Sequence, residues 1–356
     1  MLSRAWMEVD LGALVRNASA LTKHAGVPII PMIKADAYGL GAEQVAHALE
    51  HLNPLGYGVA TVDEGTELRR AGITRPIIIF TPLLAEDLEG AHVAGLTPTL
   101  GSGTEIAEWV KYGSPYYLSI DTGMARAGVP WREVGKLVKI LREHPPAGTF
   151  THFHSPQKDD GSMEIQTSRF EEALADLPVR PPVIHTESSA AIVRQGRSLW
   201  NAVRPGIFMY GVGSGETASL QPEPVVHLRA RIVEIRRVER GDTVSYDATW
   251  TADEQRLIAT IPMGYADGYP RNASNVGSAV VGGNVVKIAG RVTMDMIMLD
   301  VTHANASVGD VVTMIGNPAE CGAPIDVASV ASLASMSPYE LLTGLRSRLR
   351  RIYKGQ

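Results

Sequence analysis

From about residue 27 to residue 211, short apolar runs alternate with amphipathic stretches. The strand-like runs fall at 27–34, 56–61, 76–81, 96–100, 115–121, 148–153, 182–186 and 202–209. Helical patterns lie between them, at 42–52, 63–71, 85–94, 103–112, 131–143, 166–176 and 188–200. In the clearest, Val134, Leu137, Val138 and Leu141 share one face, and Pro130 suits the first turn. Eight strands alternating with helices predict a parallel sheet, and eight is the number that closes a barrel. An open doubly wound sheet is the alternative, but the glycine-rich phosphate loop it would carry after its first strand is absent.

The pattern changes after Pro222-Glu223-Pro224. Residues 225–237 mix β-branched and charged side chains, as a half-exposed strand does. Further β-like runs follow at 257–263, 278–281, 285–288, 296–302 and 311–315, with turn signals at Gly282-Gly283-Asn284 and Gly309-Asp310. The Ala/Ser/Leu-rich segment 325–352 reads as helical. The expected class is therefore α/β: a (β/α)8 barrel over 11–222, followed by a mostly antiparallel β domain over 223–356. Residues 1–10 are expected to add a strand to that second domain.

Composition narrows the function. The 356-residue chain is 45% hydrophobic and 20% charged with a net charge of −5, so no basic stripe invites nucleic acid. The basic tail Arg346-Ser347-Arg348-Leu349-Arg350-Arg351 is the exception, and a solvated helix end explains it equally well. The only cysteine, Cys321, excludes an internal disulfide and a Cys-rich metal site. No run of 18 apolar residues suggests a membrane span, and the N-terminus lacks the apolar core of a secretion signal. A cytoplasmic enzyme is expected, with no membrane or nucleic-acid partner.

In a closed parallel barrel, functional side chains collect at the carboxyl ends of the strands. The first strand ends in Lys34. Position alone reads either as a lysine reaching solvent or as a buried amine whose lowered pKa lets it attack carbonyls. The fifth strand runs toward Arg126, the sixth ends at His152, the seventh reaches His185 and Ser189, and the eighth carries Arg204-Pro205-Gly206-Ile207. The last two strand ends are where barrels hold phosphate. Gly206 lets backbone approach closely and Ser189 offers a hydroxyl. A phosphate-bearing ligand beside a reactive lysine follows, and pyridoxal phosphate fits that description.

The stretch Ile33-Lys34-Ala35-Asp36-Ala37-Tyr38-Gly39 resembles the cofactor-lysine motif of the alanine racemase family. Five further stretches resemble the same family in the same order. They are Asp121-Thr122-Gly123-Met124-Ala125-Arg126-Ala127-Gly128, Val203-Arg204-Pro205-Gly206-Ile207, Val244-Ser245-Tyr246, Gly264-Tyr265-Ala266-Asp267-Gly268 and Gly290-Arg291-Val292-Thr293-Met294-Asp295. The likeness runs from Trp6 to Tyr353, and six ordered motifs are far more specific than one.

The resemblance implies interconversion of L-alanine and D-alanine on pyridoxal 5'-phosphate, supplying D-alanine for peptidoglycan. Removing a proton from one face and returning it to the other needs a base on each side of the α-carbon. The family assigns these roles to Lys34 for the D-enantiomer and Tyr246 for the L-enantiomer. His152 and Arg204 would lower the tyrosine's pKa. Arg204, oriented by His185, would face the pyridine nitrogen and leave it uncharged, because arginine accepts no proton. Arg126 and the backbone N–H of Met294 would hold the substrate carboxylate. Tyr38, Ser189, Gly206, Ile207 and Tyr353 would hold the phosphate. Tyr265 would shape the entrance, and Arg291 would serve structure, cofactor orientation or substrate binding. In the family Tyr246 reaches the partner's barrel, so a homodimer with shared active sites is implied.

Three positions depart from the family pattern. Ser119 stands where a carbamylated lysine often braces the arginine, so an anion or another contact would have to brace Arg126. Ser188 replaces an asparagine beside the phosphate-binding serine. Asp247 replaces the glycine after Tyr246 and is expected to point away from the tyrosine hydroxyl, whose pKa it would otherwise raise. His154 reads as a loop histidine, and no metal site is expected. The alternative readings are a racemase of serine or a broader set of small amino acids, and a non-catalytic pyridoxal-phosphate carrier. The β domain with Tyr246 argues against the carrier.

Overall fold

Eight parallel segments close on one another in this computed structural model, which describes residues 4–214, 218–318 and 323–355. Cys321 lies outside the described residues. Tyr57–Val59, Ile77–Ile79, Thr97–Leu100, Tyr117–Asp121, Gly148–Phe150 and Val183–His185 pair in that order, each pair parallel. The segments at 29–33 and 203–205 complete the circle. Ile29 bridges Val203, Met32 bridges Gly58 and Ser188 bridges Arg204. The N–H of Ile30 donates to the Val203 carbonyl at 2.8 Å, and that of Ile33 to Gly58 at 2.9 Å. Ladders in the first and last segments are short because Pro28, Pro31 and Pro205 have no N–H to give. The closed barrel, not the open sheet, is the fold. Ile30, Ile78, Tyr117 and Phe150 fill its interior.

The surrounding helices follow the apolar spacing with local corrections. Leu11–Ala25, absent from the patterns above, buries Leu11, Leu14, Ala18 and Leu21. Asp10 caps its start, and Gly26 ends it at φ 69°. The helix expected over 131–143 divides into a 3₁₀ segment, Trp131–Leu137, and a short α-helix, Val138–Glu143. That expected over 188–200 ends at Gln195, where Gly196 turns at φ 75°.

The second sheet has nine strands among the described residues. Its order is Glu234–Val238, Arg256–Ile261, Ile297–Asp300, Asn284–Ile288, Ser278–Val281, Val311–Ile315, Val226–Arg231, Ala5–Asp10 and Arg350–Lys354. Every pairing is antiparallel except the last, which joins the two ends of the chain. The helix expected over 325–352 is instead two helices and a strand. Val327–Leu333 is followed by Ser335 at φ 56°, and Ser337 then caps a new helix, Pro338–Gly344. The basic tail is not a solvated helix end. Arg348 pairs with Asp267 and Asp295, and Arg351 pairs with Asp36. No helix among the described residues is long and apolar enough to cross a membrane.

Candidate active site

The carboxyl ends of the barrel strands surround a cavity of about 520 Å³. Lys34, Arg126, His152 and Arg204 line it, together with Tyr38, Ser189, Gly206 and Ile207. Five separate strand ends therefore deliver the residues singled out from the sequence, as barrel topology requires.

Lys34 leaves the first strand into an uncommon turn. Residues 35–38 all hold φ between 52° and 57°, a left-handed helical turn with no glycine in it. Left-handed geometry costs about 1–2 kcal/mol per L-residue, so something must hold it. The Glu64 carboxylate accepts from the N–H of Ala35 at 2.7 Å and from that of Ala60 at 2.7 Å. Asp36 accepts from the N–H of Ala42 at 2.8 Å. From the C-terminal strand, the Nε of Arg351 donates to the Gly39 carbonyl at 2.9 Å. Burial, then the nearby charge of Arg126, lowers the pKa of Lys34; Glu64 opposes them and Arg204 adds to them. A lysine held so keeps more of its amine neutral, and so available to attack or to take a proton, than a solvated one does.

Arg204 is buried in the cavity wall, its guanidinium 4.9 Å from the Phe150 ring centroid. It is hydrogen-bonded to Nδ1 of His185 and donates to the Thr151 carbonyl at 2.9 Å. Nδ1 of His152 lies 3.2 Å from its other terminal nitrogen. Burial lowers the arginine to about 9, with Glu187 opposing and Arg126 assisting, so it stays charged at neutral pH. Both histidines are pushed the same way by burial and by the Arg204 charge, His152 to about 3. Neutral imidazoles that accept from a charged guanidinium are the result.

The lining around Gly206, where Ser189 and Tyr38 meet, is shaped for an anion. Ser189 Oγ accepts from the N–H of Gly206 at 2.8 Å, so it lies against the cradle rather than away from it. A Cβ on Gly206 would stand 2.6 Å from the Tyr38 hydroxyl, which only glycine avoids. Tyr339, which sequence reasoning missed, also lines the cavity, with its ring 6.0 Å from that of Tyr38. Neither tyrosine hydroxyl has a protein hydrogen-bond partner among the described residues. Tyr353 does not join them. It lies outside the cavity lining, and its hydroxyl donates to the Leu40 carbonyl at 3.0 Å, bracing the lysine turn instead.

Tyr246, Tyr265 and Met294 are not brought to this cavity within one chain. They form a second group on the β sheet. The N–H of Tyr265 donates to the Thr293 carbonyl and that of Ala266 to Met294, both at 3.0 Å. Ser245 Oγ donates to the Arg291 carbonyl at 2.9 Å. Tyr246 is 70% exposed, Met294 52% and Tyr265 38%, an apolar cluster uncovered in the single chain. Asp247 pairs with Nε of Arg291 at 3.3 Å, and no hydrogen bond links it to the Tyr246 hydroxyl. Arg291 is thereby engaged in holding the Tyr246 turn. Ser119 lines the cavity near Arg126, and no side chain among the described residues pairs with that arginine. Ser188 caps the cradle helix by backbone conformation, without a side-chain cap bond.

The alanine racemase N-terminal domain pattern matches residues 9–214, and the C-terminal domain pattern of the same family matches 225–353. The chain belongs to the alanine racemase family. An alanine racemase from Geobacter sp. (strain M21) is 36% identical, with 98% of each chain covered. The crystal structure of the Bacillus anthracis alanine racemase with bound L-Ala-P matches with a TM-score of 0.90 at 31% identity, covering 100% of this chain and 97% of that one. The Bartonella henselae alanine racemase with covalently bound pyridoxal phosphate matches at 0.89 and 29%, covering 99% and 100%. Family membership covers both the barrel with its cavity and the sheet with its exposed tyrosines.

Proposed function

We propose that this chain interconverts L-alanine and D-alanine on pyridoxal phosphate, in the cytoplasm, as a homodimer in which each barrel is completed by the sheet of a second copy. The observation that carries the reading is one cavity lined by a desolvated lysine, a buried charged arginine and a hydroxyl-rich glycine cradle. The cradle fits a phosphate, because a side chain on Gly206 would fill it and the Tyr38 and Tyr339 hydroxyls have no protein partner. When bound, pyridoxal phosphate links to a lysine through its aldehyde and acidifies the substrate's α-proton.

Each residue then has a physical task. Lys34, with its lowered pKa, exchanges the proton on one face of the substrate. Tyr246, from the second copy, does so on the other. Arg126 is an unpaired cation for the substrate carboxylate, and Met294, from the second copy, would offer its backbone N–H beside it. Ser189, Tyr38, Tyr339 and the backbone at Gly206 and Ile207 take the phosphate. Arg204, fixed by His185, would face the ring nitrogen with a group that cannot accept a proton, and His152 would extend that network toward Tyr246. The division of labour assigns 11–222 to the cofactor and 223–356 to the neighbouring barrel. The exposed cluster of Tyr246, Tyr265 and Met294 supports the dimer, since an uncovered apolar patch of this kind marks an interaction surface.

The test is a visible absorption spectrum of the purified chain followed by a chiral assay on alanine and on serine. Lys34→Ala is expected to lose the long-wavelength band of lysine-linked cofactor and all racemisation. Tyr246→Phe is expected to keep the band and to slow the L-to-D direction most. An unaltered rate in the tyrosine variant would remove Tyr246 from its role, and equal turnover of serine would favour the broader racemase.

A further inference from the structure

The lysine turn is held at its head by a carboxylate that no step above uses. We propose that Glu64 is a positioning residue for Lys34, gripping the peptide that follows the lysine and so fixing where its amine stands. The inference rests on the role given to Lys34 under the proposed function.

Its geometry is specific. The two oxygens of Glu64 each take one backbone N–H, that of Ala35 at 2.7 Å and that of Ala60 at 2.7 Å. One carboxylate thus ties the end of the first barrel strand to the end of the second. Glu64 is itself aimed, because it lies in the first turn of Val62–Arg70 and its own N–H donates to the capping Thr61 hydroxyl at 3.2 Å. Ala35, the residue gripped, opens the left-handed run at φ 52°. An L-residue there relaxes toward the right-handed region unless it is held, and relaxation at Ala35 would redirect the chain where it leaves Lys34. Glu64 also places a negative charge where Arg126 and Arg204 are both positive, opposing their effect on the Lys34 amine. A carboxylate needed only as a helix cap would not reach across to a neighbouring strand end. Gln at this position offers one acceptor oxygen where two are used, and no charge.

The experiment compares wild type, Glu64→Gln and Glu64→Gln/Ala35→Gly as purified holoenzymes. It measures retention of pyridoxal phosphate on dilution, the pH titration of the visible band, kcat and KM for alanine, and the thermal midpoint. Glu64→Gln is expected to retain cofactor roughly tenfold less tightly, to lower kcat more than it changes KM, and to titrate at lower pH. Adding Ala35→Gly should recover much of the retention, because glycine holds positive φ without penalty, while the titration stays shifted because the charge is still missing. A Glu64→Gln enzyme that retains and titrates cofactor as wild type does, or one that differs only in thermal midpoint, overturns the proposal. A wild-type chain that takes up no pyridoxal phosphate overturns the reading of Lys34 itself, and is recognised before any variant is made.

Discussion

Tyr339 lines the cavity beside Tyr38, while the hydroxyl of Tyr353 is committed to the Leu40 carbonyl at 3.0 Å. A hydroxyl that meets a phosphate makes a charge-assisted hydrogen bond, worth about 1.5–3 kcal/mol, whereas one bonded to a backbone carbonyl contributes about 1 kcal/mol to folding. Tyr339→Phe is therefore expected to weaken pyridoxal-phosphate binding roughly tenfold or more with little change in stability. Tyr353→Phe should lower the free energy of unfolding by about 1 kcal/mol and leave cofactor affinity close to wild type. Absorbance titration and chemical denaturation separate the two, and equal cofactor affinity in both variants would remove Tyr339 from the cradle. The sequence pointed to the wrong tyrosine for a physical reason. Tyr353 closes a recognisable stretch, but it faces the back of the lysine turn, and its distance from the cavity is set by a strand pairing that no local pattern reveals. Lys34, Ser189, Arg204 and Gly206 were legible because each sits at a strand end, where barrel topology alone decides which way it faces.

At the level of elements, the seam between the chain's two ends carries a partly hidden charge cluster. Glu8, on Ala5–Asp10, lies 3.1 Å from Nε of Arg229 on one neighbouring strand and 2.8 Å from Lys354 on the other, and it accepts from the Trp6 indole at 3.0 Å. Burial alone would raise this carboxyl. The hydrogen bonds from Lys354 and Trp6 and the Arg229 charge outweigh it and hold the pKa at about 2. A depressed folded value means that the group stabilises fully above its unfolded pKa near 4.5 and loses that contribution as pH falls toward 2. Glu8→Gln should thus cost up to about 3 kcal/mol at pH 7, with the gap to wild type closing between roughly pH 4.5 and 2. Denaturation curves at several pH values check this, and a gap independent of pH would contradict it. The same seam shows why some elements escaped the sequence. The strand Arg350–Lys354 sits in a charged tail, where alternation is masked because Arg351 and Lys354 both find carboxylates, the exposed Asp36 and the buried Glu8. The barrel strands showed plainly, since burial on both faces leaves uninterrupted apolar runs. Helix ends did not, because Gly196 and Ser335 turn the chain where the apolar spacing still continues.

The whole molecule places the two proposed bases, Lys34 and Tyr246, on different surfaces. Lys34 lies inside the barrel mouth, and Tyr246 is 70% exposed on the sheet, outside the cavity lining of its own chain. If the proposed two-base reaction holds, it cannot proceed with one base in solvent, so a complete site would need the sheet of a second copy at the barrel mouth. A twofold dimer satisfies this for both sites at once, because an isologous interface offers each chain's sheet to the other's barrel. The arrangement has a consequence that no single-chain site shares. Lys34→Ala destroys the site in its own barrel and leaves its Tyr246 intact, whereas Tyr246→Phe leaves its own barrel intact and damages the neighbour's. Each variant alone should be nearly inactive in the L-to-D direction. Unfolded together, mixed in equal amounts and refolded, half of the dimers pair one of each, and each such pair holds one intact site of two. Activity should return to about a quarter of the wild-type value per chain. Mixing without dissociation should return none, which controls for contamination. If refolded mixtures remain as inactive as the separate variants while refolded wild type recovers, the two bases belong to one chain and the shared site is wrong.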